Sequence, residues 1–217
     1  MTPRTVAAVV FDMDGTLIDS ESVYRAAVTH ALAALGLAAD EAFLHGLGGL
    51  AGPAVNAHIR ACFGDDFPFE SFRSHYAARR DALMAAGIPL KRGAVEALRF
   101  LAGRGLPLAL ATSSMRATAL AHLGRLELLA HFKVLVTRED APRPKPAPDL
   151  YLAAAERLGV AAADCLAVED SRTGAEAALA AGMMTVMVPD LAPPTPELEA
   201  RCVAVQSSLL ELPALFR

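Results

Sequence analysis

Two aspartates stand two residues apart at the end of an apolar run: VVFDMDGTLIDS spans Val9 to Ser20, with Gly15 and Thr16 directly behind Asp12 and Asp14. Side chains two apart in an extended strand point the same way, so both carboxylates would leave the strand toward one point. Such charges repel unless a cation lies between them or one keeps a proton, and either arrangement is chemically useful. A hard, oxygen-seeking divalent ion, Mg²⁺ foremost, is the natural partner. Gly15 permits a tight turn, and Thr16 offers a hydroxyl and an amide to an anion. Asp-Gly is also common in plain turns and helix caps, so these residues alone leave both readings open.

Three later segments carry groups of matching chemistry. Thr112, Ser113 and Ser114 end the run LPLALATSS, just before a helical pattern whose N-terminus favours anions. Lys145 stands in the proline-rich segment APRPKPAP, and CLAVEDS ends in Glu169, Asp170 and Ser171. Taken singly, the hydroxyls are helix caps, the lysine is a solvated charge, and Glu169 and Asp170 cap the helix that starts near Thr173. Together they would bring two acidic pairs, hydroxyls and one lysine to a single crevice, a set able to hold a metal and a phosphoryl group.

The elements that must position these residues read as an α/β fold. Apolar runs at 6–12, 106–114, 132–137, 165–171 and 184–190 suit strands buried on both faces, with a short edge strand at 202–205. Helical patterns at 93–103, 115–129, 148–158 and 173–181 alternate with them, which predicts a Rossmann-like parallel sheet flanked by helices. Ligand crevices in such sheets form at the carboxyl edge. From about Ser20 to Gly87 no strand candidate appears, only helical stretches such as SVYRAAVTHALAALG and FRSHYAARRDALMAAG. That interval is too long for a loop, so a helical subdomain at 19–87 is expected inside a core made of 1–18 and 88–217. Phe63, Phe67, Phe69 and Phe72 would form its core or line a substrate face.

Composition narrows the class. The 217 residues are 54% hydrophobic with a formal net charge of −4, which gives ample core and lacks the basic excess of a nucleic-acid binder. Cys62, Cys165 and Cys202 show no disulfide or zinc spacing, and the six histidines show no ligand spacing. No apolar run reaches membrane-spanning length, so a cytoplasmic protein with a small-molecule partner is expected; oligomeric state is left open.

At DMDGT, ATSS, KPAPD and VEDS the chain resembles the haloacid dehalogenase superfamily, in particular its helical-cap members related to phosphoglycolate phosphatase and β-phosphoglucomutase. The four motifs occur in family order along the whole chain. The resemblance implies a phosphohydrolase in which Asp12 attacks phosphorus to give an aspartyl-phosphate and Asp14 is the general acid and base. It implies a small phosphorylated metabolite as substrate, with Thr112 on a phosphoryl oxygen, Lys145 balancing charge, and Gly15, Thr16 and Ser113 as further substrate- or phosphate-binding candidates. Mg²⁺ would sit among Asp12, the Asp14 main-chain carbonyl and Asp170, with Glu169 as a ligand or an orienting group. Ser114 and Arg116 would contact a distal substrate group, or Arg116 would instead stand solvated in the first turn of its helix. The positions corresponding to a histidine and an arginine of the mutases hold Tyr24 and Gly52, which favours a phosphatase. A phosphosugar mutase and a phospho-accepting receiver-type module are the alternatives.

Overall fold

The structure is a computed structural model that describes residues 5–48, 50 and 52–216. Two compact units emerge: Met1–Asp19 together with Pro89–Arg217, and Ser20–Ile88. The first holds a six-stranded sheet of β1 (Ala8–Phe11), β2 (Leu108–Ala111), β3 (Val134–Val136), β4 (Cys165–Glu169), β5 (Met184–Met187) and β6 (Ala204–Val205). The strand order is β3-β2-β1-β4-β5-β6 and every pairing is parallel. Central β1 pairs Val10 with Ala109 of β2 and with Ala167 of β4, so its side chains are buried on both faces, as its unbroken apolar run requires. The chain steps from β1 outward to β3 and then restarts beside β1 at β4. That reversal of direction opens a crevice beyond the carboxyl ends of β1 and β4.

The strands are shorter than their apolar runs, and at the carboxyl ends of β1, β2 and β4 the residues left over are polar. β2 stops at Ala111, whereas the sequence reading ran to Ser114; the Thr112 amide still bonds Val136 O at 3.0 Å, but the Ser114 amide turns to Thr112 Oγ1 at 3.0 Å. β4 likewise ends at Glu169, two residues before Ser171, because the Asp170 and Ser171 amides bond the Glu169 carboxylate. Local side-chain bonds thus end the ladder where the chemistry begins.

Helices cover the second unit: α1 (Ser20–Ala34), α2 (Glu41–Leu47), α3 (Pro53–Phe63) and α4 (Phe69–Ala86). Ala31, Leu32, Phe43, Ile59, Phe67 and Phe72 form its core, with Phe63 and Phe69 packed against it. Phe67 and Phe72 are therefore core, and burying such a ring contributes about 1.5–3 kcal/mol relative to exposure.

In the first unit α5 (Ala94–Gly103), α6 (Arg116–Arg125), α7 (Asp149–Leu158) and α8 (Arg172–Ala180) connect the strands. α6 ends four residues before the expected Leu129, since Glu127 adopts φ 57° and a 3-10 turn takes over at Leu129–His131. α7 lies on the sheet through Leu150, Tyr151 and Ala154, packed in one cluster with Val10, Ala109 and Ala167. Among the described residues no helix is long and apolar enough to cross a membrane.

Candidate active site

Beyond β1 the backbone turns at Gly15, whose φ of 83° is open to glycine at little cost. A Cβ there would overlap the Asp170 carboxylate, so the turn and the acidic residue after β4 are packed together. Thr16 donates from Oγ1 to Asp170 Oδ1 at 2.9 Å. The loop after β3 delivers Lys145, whose Nζ lies 2.6 Å from both Asp12 Oδ1 and Glu169 Oε1. All three side chains are at least nine-tenths buried.

Glu169 is the most fully bonded of the carboxylates. Its Oε1 accepts from Lys145 and from the Tyr151 hydroxyl at 2.8 Å, and its Oε2 accepts from the Asp170 amide, the Ser171 amide and Ser171 Oγ at 3.0–3.1 Å. With both oxygens bonded to protein donors, it has the geometry of an orienting group. Ser171, and neither Glu169 nor Asp170, caps α8 by accepting the Gly174 amide at 3.1 Å. Gly174 in turn leaves room for the Glu169 carboxyl, which a Cβ would overlap.

Asp14 faces a different set of partners. Ser114 Oγ donates to its Oδ2 at 2.7 Å, and Thr112 Oγ1 lies 3.5 Å from the same oxygen. The hydroxyls expected to hold the substrate are thus also the groups that place Asp14. Ser113 is exposed and Arg116 is drawn off elsewhere: its guanidinium pairs with Asp140 and its amide bonds Glu139. Asp140 also accepts from Arg157 and from Thr137 through both amide and hydroxyl. Neither of the two readings of Arg116, as a substrate contact or as a solvated charge, describes this pairing.

The electrostatics show what the cluster lacks. Asp12, Glu169 and Asp170 offer carboxylate oxygens within 4.8 Å of one another, against the one ammonium of Lys145. Burial pushes Asp12 up to about 8 despite the Lys145 ammonium, with Glu169 and Asp14 adding to the rise. Burial and the charges of Glu169 and Asp12 raise Asp170 well above the ordinary carboxylate range. Burial alone would raise Glu169, but Lys145 and the surrounding hydrogen bonds outweigh it and hold this group low. Burial would lower Lys145; Asp12 and Glu169 outweigh it and keep the ammonium charged. Buried, oxygen-only and short of positive charge, the Asp12–Asp170 pair fits a hard divalent cation such as Mg²⁺. The Asp14 side chain stands outside this acidic trio.

Sequence reasoning passed over Tyr151 and Gly174 and gave Ser171 no role of its own. Tyr151 lies within the apolar helical stretch DLYLAAAERL, where an aromatic reads as core filling; a hydroxyl on a helix face turned to the sheet was the available signal. In the second unit a cavity of about 570 Å³ is lined by Tyr24, Arg25, Gly52, Asn56, Phe72 and Tyr76, and thus includes both positions that depart from the mutases.

The chain is similar over most of its length to known proteins. A family model described as haloacid dehalogenase-like hydrolase matches residues 6–182. The fructose-1-phosphate phosphatase YqaB of Escherichia coli is 35% identical over 183 residues, covering 84% of this chain and 96% of its own. Hexitol phosphatase B of the same organism is 32% identical over 221 residues, covering 98% and 97%. A crystal structure of a HAD family hydrolase from Deinococcus radiodurans, with bound phosphate and sodium, superposes with a TM-score of 0.86 at 30% identity over 98% of this chain and 96% of that one. A family match spanning most of the sequence, on a sheet whose carboxyl edge gathers these acidic groups, establishes that the chain belongs to the haloacid dehalogenase-like hydrolases.

Proposed function

We propose that the protein is a Mg²⁺-dependent phosphatase of small phosphomonoesters, with sugar phosphates as the favoured class. The observation that carries this reading is the Lys145 ammonium shared at 2.6 Å between Asp12 and Glu169, with Asp170 in the same acidic cluster. The printed names of the relatives, a fructose-1-phosphate phosphatase and a hexitol phosphatase, support the sugar-phosphate class.

In the proposed reaction an Asp12 carboxylate oxygen bonds to phosphorus as the bond to the leaving oxygen breaks. Asp14 gives its proton to that oxygen, which leaves as the alcohol. Water then attacks the aspartyl-phosphate, Asp14 takes the water's proton, and Asp12 is freed with release of inorganic phosphate. Thr112 offers its hydroxyl to a phosphoryl oxygen, while Lys145 holds Asp12 in place and offsets negative charge. Mg²⁺, held by Asp12, Asp170 and the Asp14 main chain, would supply charge neutralisation at the nucleophile and the phosphoryl group.

The test is hydrolysis of p-nitrophenyl phosphate with Mg²⁺ and a panel of sugar phosphates, read as released phosphate. Wild type should release phosphate over many turnovers, which neither a stably phosphorylated receiver nor a mutase does. Asp12→Asn should lose at least about a thousandfold in kcat, as removal of a nucleophile does. Retained turnover in that variant refutes the assignment.

A further inference from the structure

We propose that Tyr151 is a positioning residue for this reaction: by holding Glu169, its hydroxyl keeps the Lys145 ammonium on Asp12. The inference rests on the phosphatase reading above and concerns a residue outside all four motifs.

Tyr151 is fully buried in α7, and its hydroxyl donates to Glu169 Oε1 at 2.8 Å. The same oxygen receives Lys145 Nζ at 2.6 Å, so the phenol and the ammonium share one acceptor. The other oxygen, Oε2, is fixed by the Asp170 and Ser171 amides and by Ser171 Oγ. Glu169 therefore cannot rotate without breaking bonds at both ends. The Tyr151 ring also faces the ammonium, with Nζ 5.0 Å from its centroid. Lysine and tyrosine ride on one piece of chain, because Arg143 clamps the lysine loop to the start of α7 through Asp149.

A phenylalanine would give the same packing and the same ring face. Burying a hydroxyl is costly unless it is bonded, and this one is bonded to Glu169. Its effect is specific: the phenol withdraws part of the Oε1 electron density, so that the ammonium divides its bonding between Glu169 and Asp12. Without that donor Glu169 becomes the stronger partner of Lys145, and the ammonium moves off the nucleophile. The loss falls on the chemical step more than on substrate capture.

The experiment is steady-state hydrolysis of p-nitrophenyl phosphate at saturating Mg²⁺ by wild type, Tyr151→Phe and Thr185→Val. The last loses a buried hydroxyl that bonds Met183 O, and it controls for general weakening of the core. Tyr151→Phe should lower kcat at least about fivefold with KM within about twofold, while Thr185→Val keeps wild-type kcat. A 4-fluorophenylalanine placed at position 151 fills the hydroxyl's volume without donating, should give the same loss, and keeps the test open if Tyr151→Phe does not fold. Wild-type kcat in either replacement, a matching loss in Thr185→Val, or a KM rise as large as the kcat fall overturns the inference while the phosphatase reading stands. An inactive wild type overturns both.

Discussion

Ser114 Oγ donates a 2.7 Å hydrogen bond to Asp14 Oδ2, tying the end of β2 to the second aspartate of DMDGT. In the proposed reaction Asp14 moves a proton to and from the reacting oxygens, and this bond sets where its carboxylate points. Ser114→Ala should lower kcat about tenfold, a loss of about 1.4 kcal/mol, with KM changed by less than about twofold. Steady-state kinetics check it. A rise in KM with kcat preserved would instead make Ser114 a substrate contact.

Gly174 tests the packing behind Glu169. In an exposed helix an alanine at such a position would stabilise by about 1 kcal/mol. Here a Cβ would overlap a carboxyl group that five donors hold in place. Displacing it breaks buried bonds to a charged group, so Gly174→Ala should cost about 2–4 kcal/mol and most of the activity. Thermal unfolding gives the answer by sign: a raised Tm contradicts the close approach.

Metal and pH should act together on stability. Asp12 ionises in the folded protein only near pH 8, well above its ordinary value of 3.8. Between those values the folded state binds the extra proton, so stability without metal falls as pH rises through that window. A cation on the carboxylates offsets the burial and the neighbouring negative charge, and so favours the ionised form. Added Mg²⁺ should therefore raise Tm more at pH 8 than at pH 5.5, which differential scanning measurements with and without the ion will show. Equal gains at both pH values would count against the acidic cluster as the binding site.

Asp140 anchors a separate network. Hydrogen bonding from Arg157 leads the causes that hold its carboxyl far below the usual range, with the Thr137 amide and hydroxyl adding to it. Asp140→Asn should cost about 1–2 kcal/mol, discounted because the arginine partners are partly exposed. A group with a depressed pKa contributes stability above its unfolded value and loses it as pH falls. The gap to wild type should thus be full at pH 7 and narrow below about pH 4, as denaturant melts at both pH values will reveal. A gap that does not change with pH would exclude the carboxylate charge as its source.

Much of the architecture could be read from one dimension because burial on both faces demands unbroken apolar runs. Ala8–Phe11, Leu108–Ala111 and residues 165–168 are such runs, and each became a parallel strand. The stretch from Ser20 to Gly87 showed helical spacing alone, and helices fill it. The polar residues at strand ends were also visible, since residue type and the carboxyl-edge rule need no coordinates. Strand boundaries were not visible: at Thr112–Ser114 a side-chain bond to a neighbouring amide, rather than hydropathy, decides where the ladder stops.

By itself the sequence determined which strands form, in what order, and which acids, hydroxyls and lysine stand at their carboxyl ends. Pairing was decided by tertiary structure alone. That Ser114 holds Asp14, that Glu169 is bonded to five donors, that Tyr151 stands behind Lys145, and that Arg116 is spent on Asp140 all follow from contacts between residues remote in sequence. Periodicity reports which face of an element is buried. A hydrogen bond depends instead on which atom of which neighbour lies within about 3 Å, and that is settled only when the strands are stacked.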